Sequence, residues 1–146
     1  MLTIEEGTPE ERAYLDVKLT EFNAHAVPMT QAKEVEFIDY SLRDDTGAIV
    51  GGINAVVYLW KIVLVNVLWI DQRYRHAGFG SRLVLQMEAA AKKMGCDLIH
   101  LDTFDFQAKD FYLKLGYEVF GELDDCPMGH KRFYLRKVLG GSEFHR

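Results

Sequence analysis

The spacing of apolar and polar residues divides this chain into helix-like and strand-like stretches. Residues 1–6 read as a short first strand. Thr8-Pro9-Glu10-Glu11 then opens a helix, with Thr as N-cap, Pro in the first turn and Glu three residues after the cap, the capping-box pattern. Tyr14, Leu15, Val17, Leu19 and Phe22 supply its predicted apolar face, and residues 23–34 follow no pattern. Residues 35–43 alternate as a strand does, Asp44-Asp45-Thr46-Gly47 is a turn, and Ala48 starts a second strand, so the pair reads as a hairpin. Gly51-Gly52 predicts a bulge or a close backbone approach. Residues 56–60 and 62–70 are rich in β-branched and aromatic side chains. The second run is almost continuously apolar, the pattern of a strand buried on both faces.

The period then changes. From Gly78 to Gly95, Leu83, Met87, Ala90, Ala91 and Met94 fall at i, i+4, i+7, i+8 and i+11, one helical stripe. Lys92 and Lys93 sit in the last turn, where cations complement the helix dipole, and Gly95 is a stop residue. Residues 97–104 form a further strand, 107–115 a short helix stopped by Gly116, and 117–123 and 132–139 two strands joined by a polar loop. The strand–helix–strand unit over 62–104 is a right-handed parallel crossover by default. The predicted fold class is therefore α/β (mixed α+β), a mixed sheet with helices on both faces. One domain over residues 1–139 is expected at this length, and residues 140–146 carry no pattern and read as a disordered or cloning-derived tail.

Composition narrows the function. With 49% hydrophobic residues a sizeable core is within reach, and a net charge of −5 argues against a nucleic-acid binder. Cys96 and Cys126 stand thirty residues apart with no C-x-x-C pair, which disfavours structural zinc, and no metal site is expected. The N-terminus lacks the basic n-region and long apolar stretch of a signal peptide, and the apolar run near 55–70 is broken by Lys61 and Asn66. A cytoplasmic protein without membrane or nucleic-acid partners is expected.

The candidate chemistry lies between the apolar strand and the long helix, in Asp71-Gln-Arg73-Tyr-Arg75-His76-Ala77-Gly78-Phe79-Gly80-Ser81-Arg82. Two glycines let a ligand approach the backbone, the loop enters a helix N-terminus that favours anions, and three arginines add positive charge. A diphosphate suits such a place. No Gly-Lys-Ser/Thr follows, so it is not a Walker loop, and Leu83 stands where a dinucleotide fingerprint needs Gly or Ala. On spacing alone, a plain strand-to-helix turn is an equal alternative.

The pattern R-x-x-G-x-G after an apolar strand and before an amphipathic helix resembles the cofactor motif of the GNAT superfamily of N-acetyltransferases. A second stretch, Asp105-Phe-Gln107-Ala108-Lys-Asp-Phe111-Tyr112-Leu-Lys114-Leu-Gly116-Tyr117, resembles that family's N-x-x-A-x-x-x-Y-x-K-x-G-F segment, with Asp105 in place of Asn and Tyr117 in place of Phe. The resemblance runs over residues 68–123 and also touches the Gly129-His-Lys-Arg-Phe-Tyr-Leu-Arg-Lys137 ending seen in small bacterial members. It implies a GNAT-like mixed sheet whose two parallel strands, 62–70 and 97–104, splay apart. It implies acetyl-coenzyme A as co-substrate, its pyrophosphate on Arg75, His76, Ala77, Gly78, Phe79, Gly80 and Ser81, and its pantetheine arm along Leu68, Trp69 and Ile70, with Gln107 also at the cofactor. It implies direct attack of an amine on the acetyl thioester, with Tyr112 as proton donor to the departing thiolate. The alternative function is a non-catalytic acyl-coenzyme A binding module.

Other residues are weighed on their own pattern. Ala108, Phe111, Tyr112 and Leu115 form a stripe, so Tyr112 also reads as a core tyrosine. His100 and Asp102 share a strand face and suit either a proton relay or a structural pair. Cys96 reads as buried and inert, and core packing alone explains the Trp69 side chain. Glu36, Asp71 and Glu122 are open as general base. The acceptor is an amine of a small molecule or peptide. The acidic loop Glu122-Leu-Asp124-Asp125 favours a cationic one, and small GNAT proteins are often homodimers.

Overall fold

A computed structural model describes residues 1–140 of the chain. Its elements run α1 Pro9–Ala26, β1 Val35–Arg43, β2 Ile49–Tyr58, β3 Ile62–Ile70, α2 Phe79–Lys93, β4 Leu98–Phe104, α3 Lys109–Lys114, β5 Glu118–Asp124 and β6 Lys131–Val138. The strands form one six-stranded sheet in the order β1-β2-β3-β4-β6-β5. Every neighbouring pair is antiparallel except β3 with β4. The chain has the mixed α+β fold with one parallel strand pair that its pattern predicts. The expected tail at 140–146 lies outside the described residues apart from Gly140.

Local chemistry explains the elements. The predicted capping box forms: Glu11 N–H donates to Thr8 Oγ1 at 3.1 Å, and Thr8 N–H to Glu11 Oε1 at 2.8 Å. Asp44 closes the β1–β2 turn, its Oδ1 accepting from Thr46 N–H at 2.8 Å and Ala48 N–H at 3.1 Å. Gly51 and Gly52 are the close approaches expected, since a Cβ there would lie 2.9 Å from Trp69 O and 2.8 Å from Tyr40 O.

One sheet face holds the core. Ile38, Ile53, Ala55, Val63, Ile99 and Leu135 point to it, and α2 covers it with Leu83, Val84, Met87 and Ala91. Short α3 joins the same layer through Tyr112, which is buried among that cluster. Glu88 is also buried there, accepting from Tyr117 Oη at 2.8 Å and Lys137 Nζ at 2.9 Å. No pattern in the sequence marked that carboxylate.

Three expectations change. Residues 1–6 form no strand. The apolar residues of α1 do not reach the core, because none of its residues is buried. As a result no helix of the described residues lies on the second sheet face, and β3 is buried on one side only: Val63 and Val65 are enclosed, whereas Val67 and Trp69 are exposed. The continuous apolar run marked a strand with two faces to cover, and within one chain only one of them is covered. No helix among the described residues is long and apolar enough to cross a membrane.

Candidate active site

Strands β3 and β4 pair only at their start. Ile62, Val63 and Leu64 match Leu98, Ile99 and His100, and the pairing goes no further. A bulge in β3 accompanies the separation: Ala55 pairs with Val65 and Asn54 with Val67, so Asn66 is the extra residue. Between the diverging strands lies a cleft of about 350 Å³. Residues 65–69 wall it on the β3 side and Leu101, Asp102 and Thr103 on the β4 side, with Gln107, Ala108 and Tyr112 completing it.

Tyr112 is the buried titratable group of this cleft, 5% exposed. Its ring packs edge-on against Phe111 and Tyr117, with centroids 5.1 and 5.4 Å away. Every fully enclosed side-chain nitrogen or oxygen among the described residues has a hydrogen-bond partner. Among the described residues the Tyr112 hydroxyl has no hydrogen-bond partner, and the residue lines the cleft. Burial pushes its pKa up to about 12, which keeps the phenol protonated at neutral pH.

The glycine loop has the backbone of an anion cradle. His76 and Gly78 both adopt left-handed φ, 62° and 86°, and Gly78 begins α2 without any side chain capping its first N–H groups. The three arginines differ in use. Arg73 is held by Asp71 at 3.0 Å, Arg75 donates through Nε to Ile70 O at 2.9 Å, and Arg82 lies over the Phe79 ring at 5.5 Å. Among the described residues, Arg75 and Arg82 are thus the loop cations not tied to a carboxylate.

Known proteins similar to this chain give its family. The model of the acetyltransferase (GNAT) family matches residues 5–117. The chain belongs to the GNAT acetyltransferase family. It is 34% identical over 113 residues to a blasticidin-S acetyltransferase of Streptomyces morookaense, covering 77% of this chain and 82% of that protein. It is 35% identical to an acetyltransferase from Bacillus cereus solved at 1.9 Å, with a TM-score of 0.85 over 94% of this chain and 98% of the other. A streptothricin acetyltransferase-like protein of Bacillus anthracis, solved with acetyl-coenzyme A, shares the fold at 22% identity, with a TM-score of 0.62 over 76% of this chain and 66% of that one. This GNAT chain is accordingly an acetyl-coenzyme A-dependent acetyltransferase.

Within this GNAT fold the sequence-predicted residues divide. Leu68, Trp69, Gln107 and Tyr112 meet at the cleft. Ile70 lies past its lining, and residues 75–81 form the turn into α2. Trp69 is 47% exposed, so core packing does not explain it. Gln107 Oε1 accepts from Phe104 N–H at 2.8 Å and Thr103 Oγ1 at 3.2 Å, which holds the lead-in to α3 and leaves the amide nitrogen without a partner among the described residues. Asp105, the Asn replacement, turns toward the β5–β6 loop: its Oδ2 accepts from Lys131 N–H at 2.8 Å and its Oδ1 contacts His130 Nδ1 at 2.9 Å. Those bonds, the Lys131 N–H foremost, hold its carboxyl below the usual range. His100 and Asp102 do not pair. His100 Nε2 bonds Tyr58 Oη at 2.8 Å, and Asp102 takes Arg132 at 2.6 Å. Of the open general bases, Asp71 is engaged by Arg73 and Glu122 by Lys131 at 3.3 Å. Asn66 and Thr103 are cleft residues that sequence reasoning missed. A polar residue interrupting an apolar run was the available signal for the first.

Proposed function

We propose that this chain is a single acetyltransferase domain over residues 1–139 that acetylates an amine of a small cationic molecule. The observation that carries the reading is a buried, protonated Tyr112 lining the cleft between the splayed strands. Acetyl-coenzyme A supplies an acetyl group activated as a thioester. The uncapped start of α2 and the left-handed turn at residues 76–78 fit its pyrophosphate, with backbone N–H groups of residues 76–81 as donors and Arg75 and Arg82 as the local charge. The diverging β3 backbone at Leu68 and Trp69 fits the pantetheine arm, and Gln107 lines the same cleft.

Tyr112 Oη then donates toward the departing sulfur. A phenol of pKa about 12 is a weaker acid than an ordinary thiol near 8.5. Complete transfer runs uphill, so a strong hydrogen bond late in the reaction is the main effect. The acceptor class is supported by two observations. A relative of 34% identity is a blasticidin-S acetyltransferase. At the end of β5, not in a loop as the sequence pattern predicts, Glu122 and Asp124 share one ammonium, that of Lys131 at the start of β6, at 3.3 and 3.1 Å, so the pair retains net negative charge.

The test is release of free thiol from acetyl-coenzyme A over a panel holding blasticidin S, other small cationic amines, neutral and acidic amines, and peptides. Turnover on cationic small molecules is expected. Best turnover on acidic amines or on peptides would overturn the acceptor class.

A further inference from the structure

Helix α1 buries none of its residues among the described part of the chain. Tyr14, Leu15, Val17, Leu19 and Phe22 are 56–67% exposed, and Leu2 and Ile4 ahead of the helix are fully exposed. Leu15, Leu19, Phe22 and Ala26 fall at i, i+4, i+7 and i+11, one apolar stripe, while Tyr14 and Val17 lie outside it, so the helix is apolar on more than one side. Most helices in water are held by burying such a stripe.

The sheet has the complementary deficit. Its second face presents Phe37, Val67 and Trp69 at 67%, 49% and 47% exposure, and no described helix lies on it. Strand β1 is also a sheet edge, nine residues long, with Val35 and Phe37 exposed. Proteins generally cover an edge of that kind. One chain therefore holds a helix without a sheet and a sheet face without a helix.

The exit of α1 is fixed by hydrogen bonds. Trp60 Nε1 donates to Val27 O at 2.9 Å, and Thr30 N–H to Leu59 O at 3.0 Å. Gln31 bridges Val57 O at 3.2 Å and Lys61 N–H at 2.9 Å. These bonds tie residues 27–31 to the β2–β3 turn and direct the helix away from its own sheet.

We propose that residues 1–26 are exchanged between two copies of this chain. The α1 helix of one copy lies across the open sheet face of the other, and residues 1–6 add to the partner's free β1 edge. The exchange is isologous, so the same contact forms twice. An 18-residue helix is about 27 Å long and about 10 Å wide. Its footprint, counted on helix and sheet in both contacts, comes to about 1,100 Å², already at the roughly 1,000 Å² that marks a specific interface. Val67 and Trp69 belong both to the open face and to the cleft lining, so the partner's helix borders the cleft from outside.

Light scattering on the full chain, with variants Phe22→Glu and Phe37→Glu, tests this. The native chain is expected at twice its 16.8 kDa mass. Each variant alone is expected to weaken the dimer by roughly 100-fold, as loss of a central apolar contact does. A one-to-one mixture of the two is expected to regain dimer, because the intact helix of one meets the intact face of the other. Leu19→Lys repeats the helix arm should Phe22→Glu fold poorly. A native monomer at 100-fold above micromolar concentration overturns the proposal, as does a Phe37→Glu chain that dimerises as well as the native one, which would indicate helix-to-helix pairing instead.

Discussion

The Gly80 backbone and the Phe111 ring are in contact: a Cβ on residue 80 would stand 3.3 Å from Phe111 Cε1 and Cζ. The two motifs, about thirty residues apart in sequence, meet at this point, the first turn of α2 against α3. Gly80→Val is therefore expected to push α3 outward and to cost about 1–3 kcal/mol through overpacking. A lowered melting temperature together with weaker coenzyme A binding by calorimetry is the expected pair of results. Unchanged values for both would show that α3 yields without consequence.

Gly78 has open space around it, yet its φ of 86° is one that L side chains adopt at a cost. Gly78→Glu is expected to lose about 1–2 kcal/mol from backbone strain and to abolish coenzyme A binding by placing a carboxylate at the anion cradle. Gly78→Asn, which tolerates the left-handed region, should keep most of the binding. Native affinity in a folded Gly78→Glu chain would move the pyrophosphate elsewhere.

Tyr112→Phe keeps the ring that packs against Phe111 and Tyr117 and removes a hydroxyl without a hydrogen-bond partner among the described residues. Its melting temperature should stay close to native. Turnover at saturating acetyl-coenzyme A should fall by roughly 100-fold, the low end for a general acid. Native turnover in this variant would remove the proton-donor role, and a large drop in stability would mean the hydroxyl serves the fold.

Glu88 is the buried anion that joins α2 to β6 and to Tyr117. Glu88→Ala would strand both the Lys137 ammonium and the Tyr117 hydroxyl, which now lie 2.9 and 2.8 Å from its carboxylate. Removing one partner of such a buried set costs about 3–5 kcal/mol, read as a shift in the denaturation midpoint. Lys137 retains partial exposure, so the lower figure is expected.

The His100 imidazole lies below its ordinary 6.5 because burial disfavours its charged form, with Asp102 opposing more weakly. Between those two values the unfolded chain takes a proton that the folded chain refuses. Stability is therefore present above pH 6.5 and falls as the pH drops toward the folded value. Melting curves from pH 7 down to pH 5 should decline, and His100→Gln should flatten the decline. An equal slope in both chains would assign it to other groups.

Much of this protein was settled by local sequence. The capping box at Thr8, the turn at Asp44 and the helix stop at Gly95 form because each depends on residues within a few positions. The glycine loop entering α2 and the Tyr112 stripe were legible for the same reason, and together they named the family. Tertiary structure decided what depends on partners far along the chain. The sequence could not say that His100 would turn to Tyr58 and Asp102 to Arg132, because strand register chooses the neighbours. The exposure of Asn66 was equally hidden, since it follows from a bulge against β2. The sequence could not say whether Tyr112 points its hydroxyl into a core or a cleft, because that depends on β3 and β4 parting after three pairs. The apolar residues of α1 and the outer side of β3 did announce surfaces to be buried. Hydrophobic pattern reports that a face wants cover, and it carries no information on which chain provides it.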